Sequence, residues 1–235
     1  MPNKHKFIRI EPHHAPKVTK FVHENFCKRG REPLCTMLSD EKAEYSDTLG
    51  QIKKWTASYI KAGHSWMICD EDDTVLAVAL NFLRKAPLKM TISEQARYKT
   101  YKLLQHFNSY AYYWTVEFRL MKKLGSYSFY RELEAGDNAL FIQLVAVSGN
   151  CQRQGLGKKL VDSVLEIEKK NAKMVVAQAT NQGSMGLFKR MGFKVDNSLK
   201  YETFQDSYGK YPFHGKLVGG NEHLYLMSRG LGNDV

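Results

Sequence analysis

The stretch from Cys151 to Leu160, CQRQGLGKKL, carries two glycines two residues apart, Gly155 and Gly157, between the basic Arg153 and Lys158, and runs into an apolar periodic segment. Such a turn is poor in bulky side chains and rich in backbone donors. At a helix start the first N–H groups have no intrahelical acceptor and the helix dipole is positive, so an anion is favoured there. The N–H groups of Gln154 to Lys158 are therefore expected to wrap a phosphate, with Arg153 and Lys158 adding charge. On spacing alone, an ordinary glycine-containing strand-to-helix turn remains the alternative. Two nucleotide motifs do not fit: the phosphate loop needs G-x-x-x-x-G-K-[ST], and the dinucleotide fingerprint needs a third glycine where Leu160 stands.

Other reactive residue types are scattered. Glu32 precedes Pro33, which pushes it out of helical geometry; by itself a Glu-Pro is an ordinary loop element. His13 and His14 are adjacent without ligand partners, and His64, His106, His214 and His223 are isolated, so no metal site is expected. Cys27, Cys35, Cys69 and Cys151 show no C-x-x-C and no paired Cys/His spacing, which argues for free thiols rather than zinc or a disulfide framework. Phe107, Tyr110, Tyr113, Trp114 and Phe118 recur at helical spacing, and Tyr127, Phe129 and Tyr130 follow. That stripe is either core or the wall of a pocket, to which Glu32, Glu117, Glu134 or Asp137 could give negative charge.

The elements that must position these residues follow from hydrophobic period. Lys6 to Ile10 alternates as a strand, and Pro16 to Phe26 has helical spacing at Val18, Phe21, Val22 and Phe26. Leu49 to Ala62 reads as a second helix that ends at a glycine. Ser65 to Cys69 and Val75 to Leu83 read as a hairpin turned by Asp70 to Asp73. Residues 85–125 read as a mostly helical insert. From Asn138 the pattern tightens to strand, glycine turn, helix through Asn171, strand MVVAQA, helix from Gln182 to Met191, and strand from Phe193. HLYLMSR forms a last strand, and YGKYPFHGK is expected to be a loop over a substrate site rather than a nucleic-acid surface.

The chain has 235 residues, enough for one large domain with a substantial core, and no internal linker divides it. Lys plus Arg number 35 against 24 Asp plus Glu, and the formal charge of +11 favours anionic partners, phosphorylated cofactors among them. No window approaches the roughly 18 apolar residues of a membrane span, and the basic first residues lack the apolar core of a signal peptide. A cytoplasmic protein is expected.

At this point the residues resemble a family. QRQGLG matches the Q/R-x-x-G-x-G/A signature of the GNAT acetyltransferases, with the apolar strand LVAV before it and an amphipathic helix after it. NQGSMGLFKRMGFKV is similar to that family's N-x-x-A-x-x-L-Y-x-x-x-G-F, with Asn181, Leu187, Gly192 and Phe193 in place. The match covers Asn138 to Val195. It implies an α/β fold of GNAT type, a mixed central sheet flanked by helices. Two parallel strands, ending at Val147 and Ala179, would splay apart around acetyl-CoA. By the same resemblance the pyrophosphate would lie on Gln152, Arg153, Gln154, Gly155, Leu156, Gly157 and Lys158. The pantetheine would run along Leu144, Val145, Ala146 and Val147, and Asn181 would contact the cofactor arm. Phe188 stands where many members carry the Tyr that protonates the leaving thiolate.

The resemblance extends to the insect-type arylalkylamine N-acetyltransferases through EPL and through Thr180 and Ser184, two hydroxyl residues four apart before the final G-F. It implies Glu32 as the base that takes the proton of the attacking amine and, with Tyr replaced by Phe188, Ser184 as proton donor. The expected reaction is direct transfer of an acetyl group from acetyl-CoA to the primary amine of a small aromatic amine of the dopamine, tyramine, octopamine or serotonin class, without a metal. A backbone N–H near Leu144 or Val145 would hold the oxyanion. The alternatives are a transferase for polyamines, other small amines or protein amino groups, and a non-catalytic acyl-CoA-binding protein. Nucleic acid and membrane are not expected as partners.

Overall fold

The computed structural model describes residues 5–28, 45–86, 92–105, 109–125, 133–217 and 221–231. In chain order the elements are β1 (Lys6–Arg9), α1 (Ala15–Val22) continued by a π-helical segment (His23–Lys28), α2 (Tyr45–Ala62), β2 (Trp66–Cys69) and β3 (Val75–Lys85). They continue with α3 (Ile92–Leu104), α4 (Ser109–Leu124), β4 (Asn138–Val147), α5 (Leu156–Glu168), β5 (Met174–Ala179), α6 (Gln182–Arg190), β6 (Lys194–Lys200) and β7 (His223–Gly230). Two helices thus occupy the segment between β3 and β4.

The strands form one sheet in the order β1-β2-β3-β4-β5-β7-β6. Among the described strands, β4 and β5 run parallel and each other neighbouring pair is antiparallel. One face is covered by α5 and α6 through Leu156, Leu160, Val161, Val164 and Phe188, packed on Leu140, Ile142, Val175 and Ala177. The opposite face carries two clusters. Around α4, Val116, Leu120 and Leu124 pack with Phe141, Val176 and the loop residues Tyr201, Phe204 and Phe213. Around α1 and α2, Val18, Val22, Ile52 and Ile60 pack with Met67, Leu80, Leu144 and Ala146. Full burial of each large aliphatic or aromatic side chain contributes about 1.5–3 kcal/mol, so packing on the sheet, more than helix propensity, seats these helices.

The feature that shapes the site is a bulge in β4. Leu80 pairs with Leu144 and the next residue, Asn81, pairs with Ile142, which leaves Gln143 as the extra residue. A bulge puts two consecutive residues on one side and bends the strand. Up to Ile142 the even positions face α5; after the bulge Leu144 and Ala146 face the α1–α2 side while Val145 and Val147 pack towards α5. The pairing of β4 with β5 stops at the same place, at Ile142 and Ala177. Asn81, buried opposite the bulge, is held by a hydrogen bond from its Nδ2 to the His64 carbonyl at 2.9 Å and by its N–H to Ser65 Oγ at 3.1 Å.

Candidate active site

Beyond Ile142 and Ala177 the two parallel strands diverge, so the β5-facing backbone edge of residues 143–147 has no strand partner. At the end of this edge lies the glycine turn. Arg153 has φ 62° and Gly155 φ 78°, with Gln154 between them at negative φ. Left-handed and right-handed residues in alternation curl a backbone into a concave array of N–H groups suited to an anion. A left-handed residue with a side chain costs roughly 1–2 kcal/mol, which accounts for glycine at 155 and marks Arg153 as strained.

Gly155 is the residue before the first turn of α5, and no side chain caps that helix. The turn is braced from outside: Gly149 N–H donates to Asn25 Oδ1 on the π-helical segment at 3.2 Å, and Gln154 Nε2 donates to the Asn150 carbonyl at 3.1 Å. At Gly157 a Cβ would sit 3.4 Å from Val147 Cγ2 and 3.6 Å from Leu187 Cδ2. A Cβ there would only touch these side chains, so Gly157 marks where α5 begins close to the end of β4 without itself being required by packing. Lys158 is exposed and pairs with Asp162 at 2.6 Å. An uncapped helix start, a curled turn and an open strand edge in sequence fit a phosphate with an extended amide-bearing arm, which is the chemistry of acetyl-CoA.

Across the gap, α6 starts differently. Asn181 Oδ1 accepts the Ser184 N–H at 2.8 Å, and Ser184 Oγ lies 3.3 Å from the Asn181 N–H, a reciprocal capping box. Ser184 Oγ also donates to the Asn181 carbonyl at 3.0 Å. Thr180 lies between the last residue of β5 and this cap, half-buried. Phe188 is 3% exposed and packs on Phe193 at 5.0 Å between ring centres, inside the core beneath α6.

On the other side of the sheet a cavity of about 330 Å³ adjoins the gap. Gln143, the bulge residue, and Gln178, on the diverging part of β5, belong to its lining. Its walls are Trp55 and Tyr59 of α2, Phe82 of β3, Phe141 of β4, and Trp114 and Phe118 of α4. The rings contact one another: Trp55 with Tyr59 edge-on at 5.3 Å, Tyr59 with Phe82 at 5.5 Å, and Phe82 stacked on Phe141 at 5.0 Å. The charged lining residues are Lys54, Arg84, Glu94, Arg97 and Glu117, with Arg84 and Glu94 paired at 2.5 Å.

Of the residues expected from sequence, the structure gathers the turn 152–158, the strand end 144–147, Asn181, Thr180 and Ser184 around the gap. It puts Trp114, Phe118 and Glu117 in the cavity wall. Glu32, Phe107, Tyr127, Phe129 and Tyr130 lie outside the described residues, as does the side chain of Tyr110. Asp137 and Glu134 are not in the cavity lining; Asp137 pairs with Lys173 at 3.0 Å, and this hydrogen bond holds its carboxyl below the usual range. The loop 204–217 also departs from expectation. It contributes nothing to the cavity, because Phe204 and Phe213 are buried in the α4 cluster and buried Asp206 ties the loop down. Asp206 accepts the Tyr112 hydroxyl at 2.7 Å and the N–H groups of Tyr208 and Lys210.

Sequence reasoning missed Trp55, Tyr59, Phe82, Phe141, Gln143 and Gln178. The glutamines left a readable signal: each interrupts an otherwise apolar strand, ALFIQLVAV and MVVAQA. Among the described residues no group of three or more His, Cys, Asp or Glu stands close enough to hold a metal, and no helix is long and apolar enough to cross a membrane.

The acetyltransferase (GNAT) family description matches residues 32–193. Among solved structures, arylalkylamine N-acetyltransferase 2 from Aedes aegypti is similar with a TM-score of 0.77 at 18% identity, over 98% of this chain and 100% of that one. An agmatine N-acetyltransferase mutant gives 0.76 at 13% identity, over 96% and 99% of the two chains. A polyamine N-acetyltransferase from Drosophila melanogaster, which catalyses formation of N-acetylagmatine, gives 0.73 at 15%, over 97% and 100%. At these identities the likeness is one of fold.

Proposed function

The chain belongs to the acetyltransferase (GNAT) family and is an acetyl-CoA-dependent N-acetyltransferase, and from that premise we propose that it acetylates the primary amine of small aromatic amines, with residues 1–235 working as one domain. The observation that carries this reading is the junction of cavity and gap: Gln143 and Gln178 belong both to the diverging strands and to an aromatic cavity. A protonated arylalkylamine is drawn to aromatic faces and a carboxylate, and the six rings with half-buried Glu117 offer both.

Acetyl-CoA supplies an activated acetyl group as a thioester. The turn 152–158 holds its phosphates, the open edge of Leu144 to Val147 pairs with its arm, and Asn181, whose Oδ1 is engaged in the cap, has its Nδ2 left to donate to that arm. A backbone N–H near Leu144 or Val145 faces the carbonyl oxygen as the amine adds. Glu32 takes the amine proton, directly or through water. An alkyl amine has a pKa of about 10, so near neutral pH the base is needed to generate the nucleophile. When the C–S bond breaks, Ser184, its hydroxyl turning from the Asn181 carbonyl, or Thr180 returns a proton to sulfur. A thiol with a pKa near 8.5 leaves tolerably without help, so this step is the less demanding one.

The testing experiment is CoA release from acetyl-CoA over tyramine, dopamine, octopamine, serotonin, agmatine, spermidine and a lysine peptide. The reading expects the aromatic amines to have the highest kcat/KM. Preference for agmatine or spermidine would replace it with a polyamine enzyme, and acyl-CoA binding without release by any acceptor would replace it with a binding protein. Glu32→Ala then tests the base: kcat should fall by roughly 10²- to 10⁴-fold near neutral pH and recover as pH approaches the pKa of the amine. A rise in amine KM alone would make Glu32 an anchor for the ammonium instead.

A further inference from the structure

The charged residues at one end of the cavity define the acceptor more narrowly than an aromatic amine; the inference rests on the function proposed above. The reacting end is at Gln143. Along the β3–β4 register Phe82 pairs with Phe141 and Arg84 pairs with Ala139, four residues before Gln143. At about 3.3 Å per residue, Arg84 lies roughly 13 Å from the gap. Helix packing gives the same placement for Glu94 and Arg97. Tyr98 contacts Phe118 at 5.5 Å and Tyr101 contacts Trp114 at 6.4 Å, so α3 and α4 run antiparallel. Residues of α3 before Tyr98 therefore lie towards Met121, which packs with Ala139 and Met174 away from the gap.

At that far end Glu94 is matched by Arg84. Arg97, one turn along the same helix, is exposed, lines the cavity and makes no ion pair among the described residues. Among the described residues, Arg97 therefore adds a positive charge at the far end beyond the Arg84–Glu94 pair, while the other charged lining residues, Lys54 of α2 and Glu117 of α4, are one of each sign. A second cation on the acceptor would meet like charge there. An anionic oxygen pair would meet a guanidinium, whose donors are spaced for it. We propose that the acceptor carries, opposite its amine and across the aromatic ring, an anionic group of carboxylate type that is read by Arg97.

The experiment compares three arylethylamines that differ only in the para group: 4-(2-aminoethyl)benzoate, tyramine and 4-(2-aminoethyl)-N,N,N-trimethylanilinium. For an exposed arginine the expected steps in kcat/KM are about three- to tenfold each, in the order anion, neutral, cation. Arg97→Glu should invert this order, with acetyl-CoA affinity and melting temperature showing that the variant is folded. Equal kcat/KM for the three, preference for the cation, or an order unchanged in Arg97→Glu overturns the inference and leaves the aromatic-amine reading in place. Release of CoA by none of the three overturns both.

Discussion

Two helices start beside the gap, and they start in opposite ways. At α6, the side chains of Asn181 and Ser184 each take the other's N–H from within the chain. At α5, Gly155 has no side chain, none caps the helix, and the preceding residues curl in alternating hand. An open helix start gives up the roughly 0.5–2 kcal/mol of a good cap and keeps its N–H groups and dipole for an outside anion. A closed one stabilises the fold and has less to offer a ligand. The difference makes the start of α5 the candidate anion site and leaves the start of α6 largely self-capped.

Gly155→Glu should break the comparison from the ligand side with the largest effect. It adds a negative charge to the anion site and a side chain at φ 78°. Acetyl-CoA affinity by titration calorimetry should fall by roughly 100-fold or more, about 2.7 kcal/mol. Undiminished affinity would remove the cofactor assignment. Asn181→Asp sharpens it from the other side: the cap acceptor is kept and the Nδ2 donor is lost. Affinity should fall severalfold while the melting temperature holds; unchanged affinity would confine Asn181 to capping.

Asn181→Ala removes the cap itself and should lower the melting temperature by about 2–4 °C, the equivalent of roughly 1 kcal/mol in a chain of this size. Lys158→Ala should weaken acetyl-CoA only about two- to fivefold, and the difference should shrink as salt rises, because this lysine is exposed. The smallest effect belongs to the closed end of the β4–β5 pair. There Lys173 holds the Asp137 carboxyl below its ordinary range. A depressed folded-state pKa contributes stability above the unfolded value and loses it as pH falls through the folded value. Asp137→Asn should therefore lower the melting temperature slightly at neutral pH and leave it unchanged in strong acid, as measured by thermal melts across that range.

The contrast between backbone-built and side-chain-built regions also explains what the sequence disclosed. The candidate phosphate turn is contiguous, and its geometry depends on glycine positions and a helix start, so CQRQGLGKKL shows the turn directly. The strand and helix series from Asn138 was readable for the same local reasons. The cavity takes residues from α2, β3, α3, α4, β4 and β5, so no window of sequence contains it. Trp55 and Tyr59 look like ordinary members of an amphipathic helix, and only the fold brings them to Phe82. The bulge at Gln143 reverses which residues face α5, and strict alternation carries no sign of that reversal. The segment 208–216 reads as a loop over the acceptor site from its aromatics and lysines, whereas Phe213 is core, Tyr208 and Tyr211 are exposed, and none of it lines the cavity.

The central claim is that acetyl-CoA lies in the gap opened at Gln143, along Leu144 to Val147 and onto the turn before α5. Hydrogen–deuterium exchange with and without acetyl-CoA tests it most directly. The predicted result is new protection at the amides of 144–147 and 154–158, with little change at Ser184 and Met185, whose N–H groups are already held by the Asn181 side chain and carbonyl. Protection confined to other segments, or absent from 154–158, would contradict it.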